Sequence, residues 1–194
     1  MTRPTTSLSA GYFEQLYAAN PDPWDFETSA YEREKYADTL ESLAAPRFKS
    51  ALEVGCSIGV LTAQLAERCD ALLAVDAAEN ALDVARERCR ALPQVTLARA
   101  YIPADWPVGS FDLIVLSEVL YYLSLDDLRT VADQVRATAT PGCQVLLVHW
   151  TKPTDYPLTG DVAAETFLSH LSGSMEIIRQ ETRSSYRLDS VRIL

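Results

Sequence analysis

From residue 50 onward the chain alternates short apolar runs with helical periodicities, and few architectures accept that rhythm. Ala51–Val54, Ala71–Val75, Val95–Ala98, Phe111–Leu116 and Cys143–His149 are of strand length and mostly apolar, as strands buried on both faces are. After the first, Leu61, Gln64 and Leu65 share a helical face. Leu82, Ala85, Cys89 and Leu92 recur at helical spacing and predict a helix over 77–91. Leu125, Leu128, Val131, Ala132 and Val135 predict another, with Ser124 placed to cap it and Asp126 and Asp127 in its first turn. Thr140-Pro141-Gly142 is expected to break the chain ahead of the fifth strand. A helix at Val162–Leu171 and two β-rich runs, Met175–Thr182 and Tyr186–Leu194, complete the pattern. The predicted fold is α/β: a seven-stranded, mostly parallel Rossmann-like sheet with helices on both faces and an antiparallel C-terminal strand.

Ahead of the sheet, Gly11–Ala19 and Tyr31–Leu43 read as helices separated by the turn-rich Pro21–Asp25. The 194 residues fit one domain, with 1–45 as a helical cover and 50–194 as the core. A formal charge of −10 disfavours nucleic acid and anionic lipid as partners. The apolar runs are too short to span a bilayer, and Met1–Ser7 lacks the apolar stretch of a secretory leader. Cys56, Cys69, Cys89 and Cys143 show no C-x-x-C pairing, and His149 and His170 add no readable metal cluster. No metal is expected, and a reducing cytoplasm is the expected compartment. The choice between monomer and homodimer stays open.

The densest chemical signal is the turn after the first strand, Gly55-Cys56-Ser57-Ile58-Gly59, which opens directly into a helix. Such a turn brings backbone N–H groups and a helix N-terminus up to a ligand. A dinucleotide site wants Gly-x-Gly-x-x-Gly; the matching positions are Gly55, Ser57 and Val60, and the last fails. A nucleoside-type pattern fits better, with Glu53, Gly55, Ser57 at the middle glycine, and Gly59. Asp76 closes the second strand, where a carboxylate can accept from two ribose hydroxyls. Singly, Glu53 is equally a carboxylate satisfied by backbone, and Asp76 equally a helix cap. Together in one βαβ unit they favour a nucleoside ligand.

On Leu52–Ser57, on Trp24 in Asp22–Phe26, and on Tyr31–Tyr36, Phe111–Leu123 and Thr140–Gly142, a family resemblance can be named. From about Tyr12 onward the chain resembles the class I S-adenosylmethionine-dependent methyltransferases. More narrowly it resembles the nodulation protein S family, which N-methylates a chitooligosaccharide amine. The resemblance implies the class I methyltransferase fold, S-adenosylmethionine as cofactor and S-adenosylhomocysteine as product. It places Glu53, Gly55 and Ser57 beside the methionine moiety, Asp76 at the ribose, and Tyr101 and Ile102 at the adenine. Ser117 and Glu118 close the site; Gly59, Ala77, Trp24 and Tyr31 complete the implied cofactor set. Three positions depart from the family pattern. Ser57 and Cys143 stand where glycines are usual, and Tyr101 where many relatives carry an Asp.

Methyl transfer is an in-line displacement, so alignment can supply roughly 7–11 kcal/mol of barrier reduction. A general base adds about 10²–10⁴ in rate where the nucleophile carries a proton. Candidates lie beyond the carboxyl ends of strands four and five. Glu118, Tyr121 and Tyr122 follow the fourth. His149 ends the fifth and is the expected base, an ordinary core histidine being the plain alternative. The loop His149–Asp161 is the expected acceptor wall, with Trp24–Tyr36 as its lid. The expected activity is methyl transfer to a small molecule, first the nitrogen of an amino sugar or related amine, with O-methylation of a small metabolite as the alternative. Val60 argues against a nicotinamide oxidoreductase, Asp76 with Glu118 against a non-catalytic adenosylmethionine-binding protein, and the charge against a nucleic-acid methyltransferase.

Overall fold

The computed structural model describes residues 3–194. Its strands are β1 (Ala51–Val54), β2 (Leu72–Asp76), β3 (Val95–Arg99), β4 (Phe111–Ser117), β5 (Ala139–Trp150), β6 (Met175–Thr182) and β7 (Tyr186–Ile193). They form one sheet in the order β3-β2-β1-β4-β5-β7-β6. The first five strands pair in parallel, and β7 enters antiparallel between β5 and β6. The helices are α1 (Ala10–Ala19), α2 (Ala30–Glu41), α3 (Val60–Leu65), α4 (Glu79–Cys89), α5 (Leu125–Thr138) and α6 (Gly160–His170).

Period-two alternation divides the strand side chains between two cores. Leu52, Val54, Ile114, Leu116, Val145 and Leu147 pack with Leu128, Val131, Val135 and Phe167 of α5 and α6. Ala51, Leu113, Val115, Leu146 and Val148 pack on the opposite face with Tyr36 of α2 and Leu61 and Leu65 of α3. Glu53 falls on that second face by the same alternation. Ser124 caps α5 as expected, its side chain accepting from the Asp127 N–H at 3.1 Å.

Two local expectations fail. β5 starts at Ala139, because Thr140-Pro141-Gly142 is absorbed as a bulge: Phe111 pairs with Ala139, then Leu113 with Gln144. α4 starts at Glu79 with Ala78 at its cap, so Asp76 caps no helix. Among the described residues no helix is long and apolar enough to cross a membrane. The strand order reverses between β1 and β4, which opens a crevice at the carboxyl ends of those strands.

Candidate active site

The chain leaves β1 through Gly55 at φ 78°, Ser57 at φ 51° and Gly59 at φ 78°. A Cβ on Gly55 would stand 2.2 Å from Cγ1 of Val119, so a side chain is excluded there. At Gly59 a Cβ would meet that of Ala85 at 3.0 Å; this glycine seats α3 against α4 and lines neither the crevice cavity nor the hollow beside it. Ser57 holds a left-handed conformation that costs a non-glycine residue roughly 1–3 kcal/mol. Two bonds hold it there. Its N–H donates to Oδ2 of Asp76 at 2.8 Å, and its Oγ accepts from the Tyr17 hydroxyl at 2.5 Å. Oδ1 of Asp76 accepts from the Ala78 N–H at 2.9 Å. Burial raises the Asp76 carboxyl above its usual range, and these N–H groups oppose the rise.

A cavity occupies the crevice at the carboxyl ends of β1 and β4, the place where open α/β sheets bind ligands. Of the residues expected at a cofactor, Gly55, Ser57, Asp76, Ala77, Tyr101, Ile102, Ser117, Glu118 and Trp24 line it. Tyr122 lines it too, as do Leu8, Phe13 and Tyr17. The N-terminal residues are held in place: Leu8 N–H donates to the Tyr122 carbonyl at 2.9 Å, and the Tyr101 hydroxyl donates to the Leu8 carbonyl at 3.0 Å. Glu53 lies in an adjoining hollow that shares Gly55, Ser57 and Ser117 with this cavity. Its Oε2 is buried without a hydrogen-bond partner, and burial pushes the carboxyl up to about 7.

A second cavity meets the first at Trp24, Glu118 and Tyr122. Tyr31 lines this one and not the first. Aromatic side chains dominate: Trp24, Tyr31, Tyr121, Tyr122, Trp150 and Tyr156. Between them lies a buried ionic cluster. Nζ of Lys35 stands 2.6 Å from Oε1 of Glu118 and 2.9 Å from Oε2 of Glu32. Oε2 of Glu118 accepts from the Tyr121 hydroxyl and the Trp150 N–H, both at 2.8 Å. Glu118 itself has φ 58°. Burial alone would raise its carboxyl, but Lys35 holds it below the usual range. Two carboxylates face one ammonium, so the cluster carries a net negative charge.

His149 is elsewhere. It is fully buried, and it lines neither cavity. Its Nε2 accepts from the Leu120 N–H at 3.2 Å, and burial pushes its pKa down to about 4. The ring packs edge-on against Tyr121. The nitrogen that a base needs is already bonded, so the structure gives His149 the place of a core histidine. From the loop after it, Thr154 and Tyr156 reach the second cavity, while Asp161 pairs with Arg187 at 3.2 Å.

Sequence reasoning missed Glu32, Lys35, Tyr17, Leu8 and Phe13. Glu32 and Lys35 carried a readable signal, an i, i+3 pair on a predicted helix beside Tyr31 and Tyr36. For Leu8, Phe13 and Tyr17 no spacing foretells which way α1 docks.

The fold is that of a class I S-adenosylmethionine-dependent methyltransferase. The chain belongs to the nodulation protein S family, whose profile matches residues 13–153. It is 40% identical over 103 residues to nodulation protein S of Bradyrhizobium diazoefficiens, covering 53% of this chain and 49% of that protein. With the Rhizobium tropici protein it shares 33% over 126 residues, or 64% and 53% of the two chains. The chain thus spans about half the length of the curated relatives it matches. Among solved structures, the N-methyltransferase NodS of Bradyrhizobium japonicum in complex with S-adenosylhomocysteine superposes with a TM-score of 0.83. That match has 26% identity and covers 95% of this chain and 98% of that one. A solved structure from Pseudomonas syringae gives a TM-score of 0.75 at 35% identity, over 84% of this chain and 99% of the other.

Proposed function

We propose that this chain transfers a methyl group from S-adenosylmethionine to the nitrogen of a small amine, an amino sugar or a compact relative of one. The observation that carries the amine is the second cavity. An acceptor ammonium entering it meets six aromatic side chains and a buried cluster of net charge −1 (Glu32, Glu118 and Lys35). Cation–π attraction is worth about 2 kcal/mol when desolvated, and an uncharged alcohol gains none of it.

The first cavity suits the cofactor on its own chemistry. Glu53 is a buried carboxylate with an unpartnered oxygen, which a methionine α-amino group would satisfy. Each Asp76 oxygen accepts one backbone N–H and keeps a lone pair for a ribose hydroxyl. Tyr101, Ile102, Leu8 and Phe13 offer apolar surface to an adenine. When bound, the cofactor supplies an electrophilic methyl group on a sulfonium. The protein's own part is alignment: Glu118 and Tyr122, which border both cavities, fix the passage between the two reactants. The α1 segment and Trp24 exclude water from it.

The test is the rate of S-adenosylhomocysteine release with glucosamine, chitobiosamine and benzylamine beside their matched alcohols, glucose, cellobiose and benzyl alcohol. Turnover is expected with at least one amine and with none of the alcohols. Turnover confined to the alcohols establishes O-methylation instead and removes the amine reading.

A further inference from the structure

Three groups near the acceptor cavity can in principle take a proton, and their surroundings separate them. His149 lies behind Tyr121 with Nε2 bonded to the Leu120 N–H. Glu118 has one oxygen on Lys35 and the other on the Tyr121 hydroxyl and Trp150 N–H. Glu32 differs. It sits in the first turn of α2, 6% exposed, its N–H donating to Oγ of the capping Ser29, and its side chain lines the cavity. Lys35 directs its hydrogen bond to Oε1 at 3.1 Å. Oε2 is buried and lies 2.9 Å from the same ammonium, with no hydrogen-bond donor aligned on it. The buried Tyr31 hydroxyl, on the same cavity wall, also has no partner.

We propose that Glu32 is the catalytic base of this site, its Oε2 taking a proton from the acceptor's ammonium. The proposal rests on the amine reading above. The N–H bond of the ammonium breaks, its electron pair stays on nitrogen, and an O–H bond forms on Oε2. The freed lone pair is the nucleophile. An ammonium has no lone pair and cannot attack, so without this step only the small neutral fraction of a basic amine reacts at pH 7. Glu32 is faced by Lys35 and Tyr36 of its own helix and by Glu118 from the end of β4, and Tyr31 lies within electrostatic reach. Burial raises its carboxyl above the ordinary range while Lys35 opposes the rise, which brings its proton affinity nearer to that of an amine. Lys35 is then a positioning residue. It orients Glu32 through Oε1 and ties it to Glu118.

The experiment compares wild type, Glu32→Gln and Glu32→Asp with glucosamine and benzylamine at pH 6–10, with calorimetric binding of S-adenosylhomocysteine as the second readout. Wild-type kcat/KM should be flat between the pKa of Glu32 and that of the amine. With benzylamine Glu32→Gln should lose about 10²-fold at pH 7, then recover about tenfold per pH unit until the free amine dominates; with glucosamine, a weaker base, the loss should be smaller. Its cofactor affinity should stay within about twofold of wild type. Glu32→Asp, which keeps a carboxylate, should be slower but retain the flat profile. A Glu32→Gln deficit of the same size at pH 7 and pH 10 gives Glu32 a structural role and overturns the proposal, as does loss of cofactor binding in that variant. Absence of turnover by wild type on either amine at any pH overturns the amine reading and the role of Glu32 with it. Turnover by wild type with a pH-independent deficit overturns the role alone.

Discussion

The Lys35 ammonium lies 2.6 Å from Oε1 of Glu118, a residue 83 positions further along the chain. This bond ties α2 to the end of β4 across the mouth of the sheet. Both side chains are withdrawn from water, and a buried pair is most sensitive to the loss of one member. Lys35→Met should cost about 3–5 kcal/mol in unfolding free energy, because two carboxylates then lack a counter-charge. In wild type Glu118 is held below the usual carboxylate range, so its stabilisation is present at neutral pH and lost on acidification. In the variant, burial without the cation raises it. The gap between the two proteins should therefore narrow from pH 7 toward pH 4 in urea titrations. A gap independent of pH would mean that Lys35 acts by packing alone.

With the methionine amino group beside Glu53, as proposed, cofactor binding would be coupled to protons. Its carboxyl titrates near 7 in the free protein, so at that pH much of it is protonated. A cationic amino group beside Oε2 favours the carboxylate, and the proton must leave. S-adenosylhomocysteine binding should release a fraction of a proton near pH 7, and affinity should rise from pH 6 to 8. Calorimetry in buffers of different ionisation enthalpy measures the release. Glu53→Gln should abolish it.

Tyr17 closes the glycine-rich turn from outside the core fold. Its hydroxyl bond to Ser57 supports a strained residue, so Tyr17→Phe should cost about 1 kcal/mol of stability and loosen cofactor binding by a similar amount. Thermal unfolding with and without S-adenosylhomocysteine separates the two effects. An equal shift in both would make the bond purely structural.

His149 should report on folding and not on turnover. Its pKa is about 4 in the folded chain against an ordinary value near 6.5. The unfolded chain therefore takes up a proton first as pH falls. Stability is whole above pH 6.5 and declines through the window from 6.5 to 4, by on the order of 3 kcal/mol at full extent. Chemical denaturation of His149→Gln should show a correspondingly flatter dependence over that window. An unchanged slope would place the titration on another group.

The repeating core was legible because its signals are local. Apolar strands, Ser124 before Asp126 and Asp127, and the Gly55–Gly59 turn each dictate their own structure. Thr140–Gly142 misled because a Pro-Gly pair stops a helix yet can also bulge within a strand, and pairing to β4 decided between them. His149 misled for a similar reason. At a strand end the sequence cannot tell which face a ring takes, and here it turns toward Tyr121 and the Leu120 N–H. The ionic cluster was hidden because Glu32 and Lys35 look like a solvated helical pair until Glu118 arrives from the other half of the chain.

Under the proposed function, methyl transfer ends on nitrogen. Glucosamine and benzylamine, incubated with the protein and S-adenosylmethionine carrying a ¹³C methyl group, give products whose labelled carbon can be assigned by NMR through its couplings to neighbouring protons. The label is expected on the amine nitrogen, with S-adenosylhomocysteine formed in equal amount. A label on a hydroxyl oxygen, or a label that never leaves the cofactor in the presence of any amine, contradicts this expectation.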